Sequence, residues 1–274
     1  MDIANKTAIK YGFLWTRKEN DLPVNCWHFN AMQEVITEPI VRGNMGIDIG
    51  SGSGYDTYIM AKNNPSTKIV SIDISDGIYY TKNLTSGLNN VQVIKSSVLD
   101  IPVKNNVLDF AYSFGVLHHL EKPKIGFLEI YRILKKNSPL FVYLYEDHSG
   151  NFIKYIIIKI IAGLRTVTVN IPAPVLYMSC IVFSPIVFIF FSLPAKLMKK
   201  FKYTRRFADK MPFNFGTTLF SLQADLFDRF SAPIEHRFNI QEVCDLFCNN
   251  GFCNVCVTKL KSSAGWVAWG YKIG

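Results

Sequence analysis

Residues 45–63 run from strand to glycine loop to helix without a spacer. Met45-Gly46-Ile47-Asp48-Ile49 is a short strand, Gly50-Ser51-Gly52-Ser53-Gly54 a loop, and a helical stretch follows to about Asn63. Glycines at such a turn let a ligand approach the backbone beside a helix N-terminus, where free N–H groups point outward. The rhythm then repeats. Further strands are expected at 68–73, 91–94, 107–112 and 140–145, and helical periodicity runs to about Leu84 and again over 124–135. Strand alternating with helix over a hundred residues predicts an α/β fold with a doubly wound, mainly parallel sheet. After an interruption, a helix at 240–249 and two strands near 254–259 and 266–272 complete a seven-stranded sheet, the last two as an antiparallel pair.

The expected organisation is an N-terminal extension over 1–42, a core over 43–150, an apolar and basic helical insertion over 151–237, and closing elements over 238–274. With 49% hydrophobic and 19% charged residues, the chain cannot be intrinsically disordered. The net charge of +9 invites a nucleic-acid reading, but its distribution argues against one. Residues 1–150 hold 15 basic and 15 acidic side chains, and residues 211–274 hold 5 of each. The entire excess lies in 151–210, where ten Lys and Arg face only Asp209. No nucleic-acid partner is therefore expected.

Three carboxylates define the ligand. Asp48 lies beside the glycine loop, Asp73 ends the second strand, and Asp100 follows the third in Ser97-Val98-Leu99-Asp100-Ile101-Pro102. A dinucleotide fingerprint would place a small residue where Tyr55 stands, and Asp48 would repel a pyrophosphate. A cationic amine would be stabilised instead. S-adenosylmethionine has that amine, a carboxylate for the loop amides and no phosphate. Asp73 suits two ribose hydroxyls, and Asp100 suits the adenine amino group.

These stretches resemble the class I S-adenosylmethionine-dependent methyltransferases of the type 11, ubiquinone/menaquinone-biosynthesis-like, family. Other matching stretches are Leu108-Asp109-Phe110 leading into Ser113-Phe114-Gly115-Val116-Leu117-His118-His119-Leu120, and Glu129-Ile130-Tyr131-Arg132-Ile133-Leu134-Lys135. The family's Pro-Gly-Gly continuation is replaced by Lys136-Asn137-Ser138. The resemblance implies a Rossmann-like methyltransferase fold with S-adenosylmethionine as cofactor. Asp48, Gly50, Ser51, Gly52 and Gly54 would hold the methionine end, Asp73 the ribose with Ile74 beside it, and Val98, Leu99 and Asp100 the adenine. Ser113 and the stretch to His118 would line the floor. It also implies an N-terminal lid, for which Tyr11-Gly12-Phe13-Leu14-Trp15-Thr16-Arg17 is the candidate. Packing of Phe13 and Trp15 onto the core is the competing reading.

Methyl transfer from a sulfonium mainly requires alignment and exclusion of water, and an oxygen nucleophile also wants a base. His119 and Glu146 are the candidates, with His118, Asp147, His148 and His236 behind them. Cys244, Cys248, Cys253 and Cys256 lack the paired spacing of a zinc site and are expected as buried thiols, with no metal.

Residues 166–195 contain no charged residue or histidine, yet Pro172, Pro174, Pro185 and Pro194 interrupt them, and Lys196, Lys199, Lys200, Lys202, Arg205 and Arg206 follow. A single membrane crossing would separate strands of one sheet. An even number of passes, a re-entrant hairpin, a segment in the interface or a substrate cap remain as alternatives. Residues 152–164, apolar around Lys154 and Lys159, are the candidate interfacial partner. The expected function is methyl transfer to a small-molecule or lipid-linked acceptor, with an anionic membrane surface contacted through 151–210. A non-catalytic binding module docked at a membrane is the alternative. The start MDIANKTAIKYG has no signal-peptide pattern, so a cytoplasmic location peripheral to the membrane's cytoplasmic face is expected.

Overall fold

A computed structural model of the chain describes residues 3–16, 27–208, 211, 213, 219–260 and 265–274. Its strands are β1 (Met45–Ile49), β2 (Lys68–Asp73), β3 (Val91–Lys95), β4 (Phe110–Phe114), β5 (Pro139–Tyr145), β6 (Phe252–Lys259) and β7 (Gly265–Lys272). They form one sheet in the order β3-β2-β1-β4-β5-β7-β6. β7 runs antiparallel to both β5 and β6, and the strands from β3 to β5 are parallel neighbours. The helices of this part are α1 (Ile3–Trp15), α2 (Trp27–Gln33), α3 (Tyr55–Asn63), α4 (Gly77–Leu84), α5 (Pro123–Ile133) and, near the end, α11 (Ile240–Cys248). This is the expected doubly wound, Rossmann-like architecture.

Strand alternation builds both cores. On one face Leu140, Val142 and Leu144 of β5 join Phe127 and Ile130 of α5 and Val243 and Phe247 of α11. Phe141 and Tyr143 point the other way, joining Phe110, Tyr112 and Phe114 of β4, Met32 of α2 and Met60 of α3. Gly46 is required by this second layer, because a Cβ there would lie 2.1 Å from the Phe110 ring. Local chemistry fixes the element ends. α5 opens on Pro123, whose missing N–H is harmless in a first turn. α11 opens on an Asn239–Glu242 capping box.

Two details differ from expectation. β4 begins at Phe110 and not at Val107, because Leu108 pairs with Leu134 in an isolated bridge and Asp109 turns its carboxylate to the Asn44 and Met45 N–H groups. In the altered turn before β5, Asn137 takes φ 62°, the left-handed conformation that asparagine tolerates better than most residues.

Residues 147–233 form a second compact unit, separate from 1–146 with 234–274. It begins a few residues before the 151–237 insertion expected from sequence. It contains α6 (Phe152–Thr168), α7 (Ala173–Val187), a π-helical turn (Phe188–Ser192), α8 (Leu193–Met198), α9 (Arg205–Ala208) and α10 (Leu219–Ser231). Both α6 and α7 pack on α10.

Candidate active site

The glycine loop between β1 and α3 is folded back on the sheet. Gly50, Gly52 and Gly54 adopt φ of 80°, 54° and 84°, which only glycine holds without strain. A Cβ on Gly50 would meet Val116 at 2.3 Å, and one on Gly54 the Thr81 backbone at 2.6 Å. The Gly50 and Ser51 N–H groups donate to the Ile72 carbonyl, and Thr81 Oγ1 donates to the Gly52 carbonyl. The Ser51 hydroxyl lies 3.3 Å from that of Thr81.

Around this loop the fold gathers carboxylates. Asp48 is buried and accepts from Thr57 Oγ1 at 2.5 Å. Burial pushes its pKa up to about 8, against the Thr57 hydrogen bond, and the Asp56 and Asp73 charges push it in the same direction. Asp56, in the first turn of α3, is pushed by burial to about 7, opposed by the Phe29 N–H. Burial also raises Asp73, opposed by hydrogen bonds from Ser75 and Gly52. Buried acids that a cation would return to the ionised form suit a cationic ligand better than a phosphate. The donor set therefore fits the sulfonium and amine of S-adenosylmethionine. Asp56 carried no sequence motif and was missed; its place two residues past the loop, beside Tyr55, was the available signal.

Asp73 does more than expected. Its Oδ2 accepts from the Gly52 N–H at 2.8 Å and its Oδ1 from the Ser75 N–H at 2.7 Å, so it locks the loop to the end of β2. The Ser75 hydroxyl adds a third hydrogen bond, so of a carboxylate's roughly four lone-pair positions about one is left for a further donor. Ile74 is half-buried next to it.

The adenine-side segment after β3 has Val98 buried, Leu99 exposed and Asp100 exposed. It is held from below by two residues of α5. Glu129 Oε1 accepts from the Ile101 N–H at 2.8 Å, and Arg132 donates to the Ile101 and Val103 carbonyls at 2.9 and 2.8 Å. The same pair forms an ion pair at 2.6 Å. Ser113 is fully buried, and its hydroxyl donates to the Ile49 carbonyl at 3.0 Å, tying β4 to β1.

α1 closes over the loop. A Cβ on Gly52 would lie 3.1–3.3 Å from the Trp15 indole, and one on Gly77 3.0 Å from the Trp15 Cβ. One turn earlier, the Tyr11 hydroxyl lies 2.9 Å from His119 Nε2. Trp15 thus meets the glycine loop, while Arg17 lies outside the described residues.

His119 is held at both nitrogens. Its Nδ1 lies 2.7 Å from the Ile234 carbonyl, which can only accept, so Nδ1 carries the proton. Nε2 of the neutral ring is then the acceptor of the Tyr11 O–H. His118 is completely buried, stacked on Tyr145 at 3.9 Å and against His119 at 4.2 Å. Glu146 pairs with Lys259 at 2.5 Å, and Arg237 donates to its carbonyl. That ammonium occupies one Glu146 carboxylate oxygen, whereas His119 keeps a ring nitrogen facing the Tyr11 hydroxyl. The segment 234–238 builds this wall of the site. His236 N–H donates to the His118 carbonyl and Phe238 N–H to that of Tyr145. Sequence reading had assigned most of this segment to the insertion.

The cysteines depart from expectation. Cys248 and Cys256 are exposed, and Cys244 and Cys253 half-buried, because β6 is an edge strand and α11 turns one side to solvent. Among the described residues no three His, Cys, Asp or Glu side chains gather as metal ligands.

Residues 47–142 match the family described as "Methyltransferase domain". A yeast (Saccharomyces cerevisiae) tRNA (carboxymethyluridine(34)-5-O)-methyltransferase is 36% identical over 78 residues, covering 28% of this chain and 25% of that protein. Matches to the curated relatives span 25–30% of their lengths. A solved S-adenosylmethionine-dependent methyltransferase from Aquifex aeolicus superposes with a TM-score of 0.55 at 15% identity, covering 93% of this chain and 96% of that one. The structure described as PigF with SAH has a TM-score of 0.55 at 15% identity, covering 96% and 62%. These structural likenesses establish the fold. With the family match over β1 to β5 and the carboxylate set around the glycine loop, the core of this chain is a class I S-adenosylmethionine-dependent methyltransferase domain of the type 11 family.

Proposed function

We propose that this chain transfers the methyl group of S-adenosylmethionine to a hydroxyl of a small-molecule or lipid-linked acceptor at a membrane surface, with His119 as the base. The cofactor supplies an electrophilic methyl on a sulfonium. The chain's residues hold the cation with buried carboxylates, orient the nucleophile and exclude water.

One observation carries the choice of an oxygen nucleophile. Tyr11 and Trp15 lie one turn apart on α1, an axial separation of about 6 Å, and touch His119 and Gly52 respectively. The base and the methyl-donor loop therefore sit under one helix face. Ile234 fixes the His119 tautomer so that the Nε2 lone pair points to a hydroxyl, now that of Tyr11. An acceptor O–H bound in place of the Tyr11 hydroxyl would give its proton to the same atom.

The membrane reading rests on charge and apolar exposure in residues 147–233. The net +9 of 151–210 adjoins helices whose apolar side chains are widely exposed, including Phe152, Val182 and Phe190. Anionic headgroups would complement those cations. The core segment 1–150 is charge-balanced, which speaks against a tRNA acceptor such as the one named for the yeast relative.

Calorimetric titration with S-adenosylmethionine tests the first step, and no binding at millimolar ligand refutes it. Comparing lipid and metabolite extracts of cells lacking and overproducing the protein, for 14-dalton shifts, tests the acceptor. Binding without any shifted product would instead support a non-catalytic, membrane-docked module.

A further inference from the structure

α7, the π-helical turn and α8 form one continuous, strongly apolar helix of 26 residues, Ala173–Met198. By length and composition it could cross a bilayer. Its partner helix argues otherwise. One face of it is buried on α10: the Tyr177 ring packs edge-on against Phe227 at 5.6 Å, and Gln223 Nε2 donates to Ser184 Oγ at 3.4 Å. The two helices are therefore antiparallel, with residues 223–227 of α10 level with 177–184. α10 carries Asp225 and Arg229, paired at 2.9 Å, and Asp228. Were the long helix to span, Ser184, about 17 Å along it, would reach the middle of a hydrocarbon core about 30 Å thick. Gln223 and the Asp225–Arg229 pair would be carried into that core, where charged side chains are strongly disfavoured.

The opposite face has the pattern of a helix lying in an interface. Val175, Met178, Val182, Ile186, Ile189, Leu193 and Leu197 are between 37% and 65% exposed and recur at three- and four-residue intervals, one stripe about 33 Å long. α6 repeats the device. It is anchored to α10 by Arg165 Nε to the Arg229 carbonyl and Thr168 Oγ1 to the Phe230 carbonyl, and exposes Ile153, Ile156, Ile160, Leu164 and Val167. Lys196, Lys200, Lys202, Arg205 and Arg206 are exposed at the end of the long helix, and Asp209 is the only acidic residue of 151–210. Apolar stripes flanked by cations with almost no anions complement an anionic lipid surface.

We propose that residues 147–233 embed in a single leaflet of an anionic bilayer, with helix 173–198 lying along the surface and not across it. This rests on the membrane reading above and gives that contact its geometry.

Depth measurement on the full chain tests it. A fluorescent amino acid is placed singly at Val175, Val182, Ile189 and Leu197, and the protein is mixed with phosphatidylcholine vesicles with and without phosphatidylglycerol. Quenchers sit at shallow and deep acyl-chain positions. The expected result is stronger binding to anionic vesicles and shallow quenching at all four positions, within about 5 Å of one depth. Depths graded from one surface through the midplane to the other would establish a span and overturn the proposal, leaving membrane association intact. Binding with no quenching at any position overturns it likewise. No vesicle binding overturns both readings, and labels protected without lipid in a dimer would assign the stripe to a second copy of the chain. As a second variant, Val182→Asp with Ile189→Asp should lower vesicle partitioning at least tenfold while S-adenosylmethionine affinity stays unchanged. Unchanged partitioning would also refute the proposal.

Discussion

The Tyr11 hydroxyl and His119 Nε2 lie 2.9 Å apart, joining α1 to the turn after β4 across 108 positions of sequence. The histidine is set by the Ile234 carbonyl on its other nitrogen, so the contact has a direction: Tyr11 donates and His119 accepts. A base already oriented by a fixed acceptor loses little freedom when it takes a proton.

Replacing His119 by Ala is expected to lower kcat by about 10²–10⁴-fold, the usual contribution of a positioned base, with S-adenosylmethionine affinity nearly unchanged. Tyr11→Phe keeps the ring and the Nε2 lone pair and should cost much less. Steady-state kinetics with separate cofactor titration checks both. Equal losses in the two variants would show that Tyr11 itself carries the proton.

Asp48, raised to about 8 by burial, gives a pH signature. In the unliganded fold it stays protonated while its unfolded counterpart ionises near 4, so stability falls as pH rises from about 4 toward 8. A cationic ligand favours the ionised form, so cofactor affinity should rise over the same window with release of a proton. Calorimetry in two buffers of different ionisation enthalpy measures that proton. Asp48→Asn should remove this part of the pH dependence and weaken binding at pH 8.

For Asp73 the structure couples binding to stability. Asp73→Ala removes the acceptor of the buried Gly52 and Ser75 N–H groups, at about 1–3 kcal/mol for each donor left unpaired. Cofactor affinity and thermal stability should therefore fall together. Asp73→Asn, retaining one acceptor oxygen, should recover part of the stability. Thermal unfolding with and without S-adenosylmethionine separates the two losses.

Arg132→Met is expected to loosen the adenine-side segment. It leaves the Ile101 and Val103 carbonyls without their guanidinium donor and Glu129 without its partner. Hydrogen exchange over residues 99–104 should accelerate, and cofactor affinity should fall by less than in Asp73→Ala. Unchanged exchange would mean that Glu129 and the turn alone hold the segment.

Sequence alone determined the sheet and the loop. Period-two alternation in β5 and β4 assigns Val142 and Phe141 to opposite cores, and Gly50, Gly52 and Gly54 can all hold the left-handed backbone their turn needs. These are local properties, since each depends on residues within a few positions of one another. The carboxylates at the strand ends were legible for the same reason. Tertiary structure decided the rest. The ion-pair partner of Glu146, Lys259, lies 113 positions away, and the His119 tautomer depended on Ile234. Cys256 is exposed because β6 lies at the sheet edge with no strand beyond it, an outcome of strand order and not of hydrophobic pattern. The apolar run at 166–195 has the composition of a membrane span. That one face of it is buried on the charged α10 is a tertiary fact, because hydropathy sums over a segment while burial depends on what each face meets.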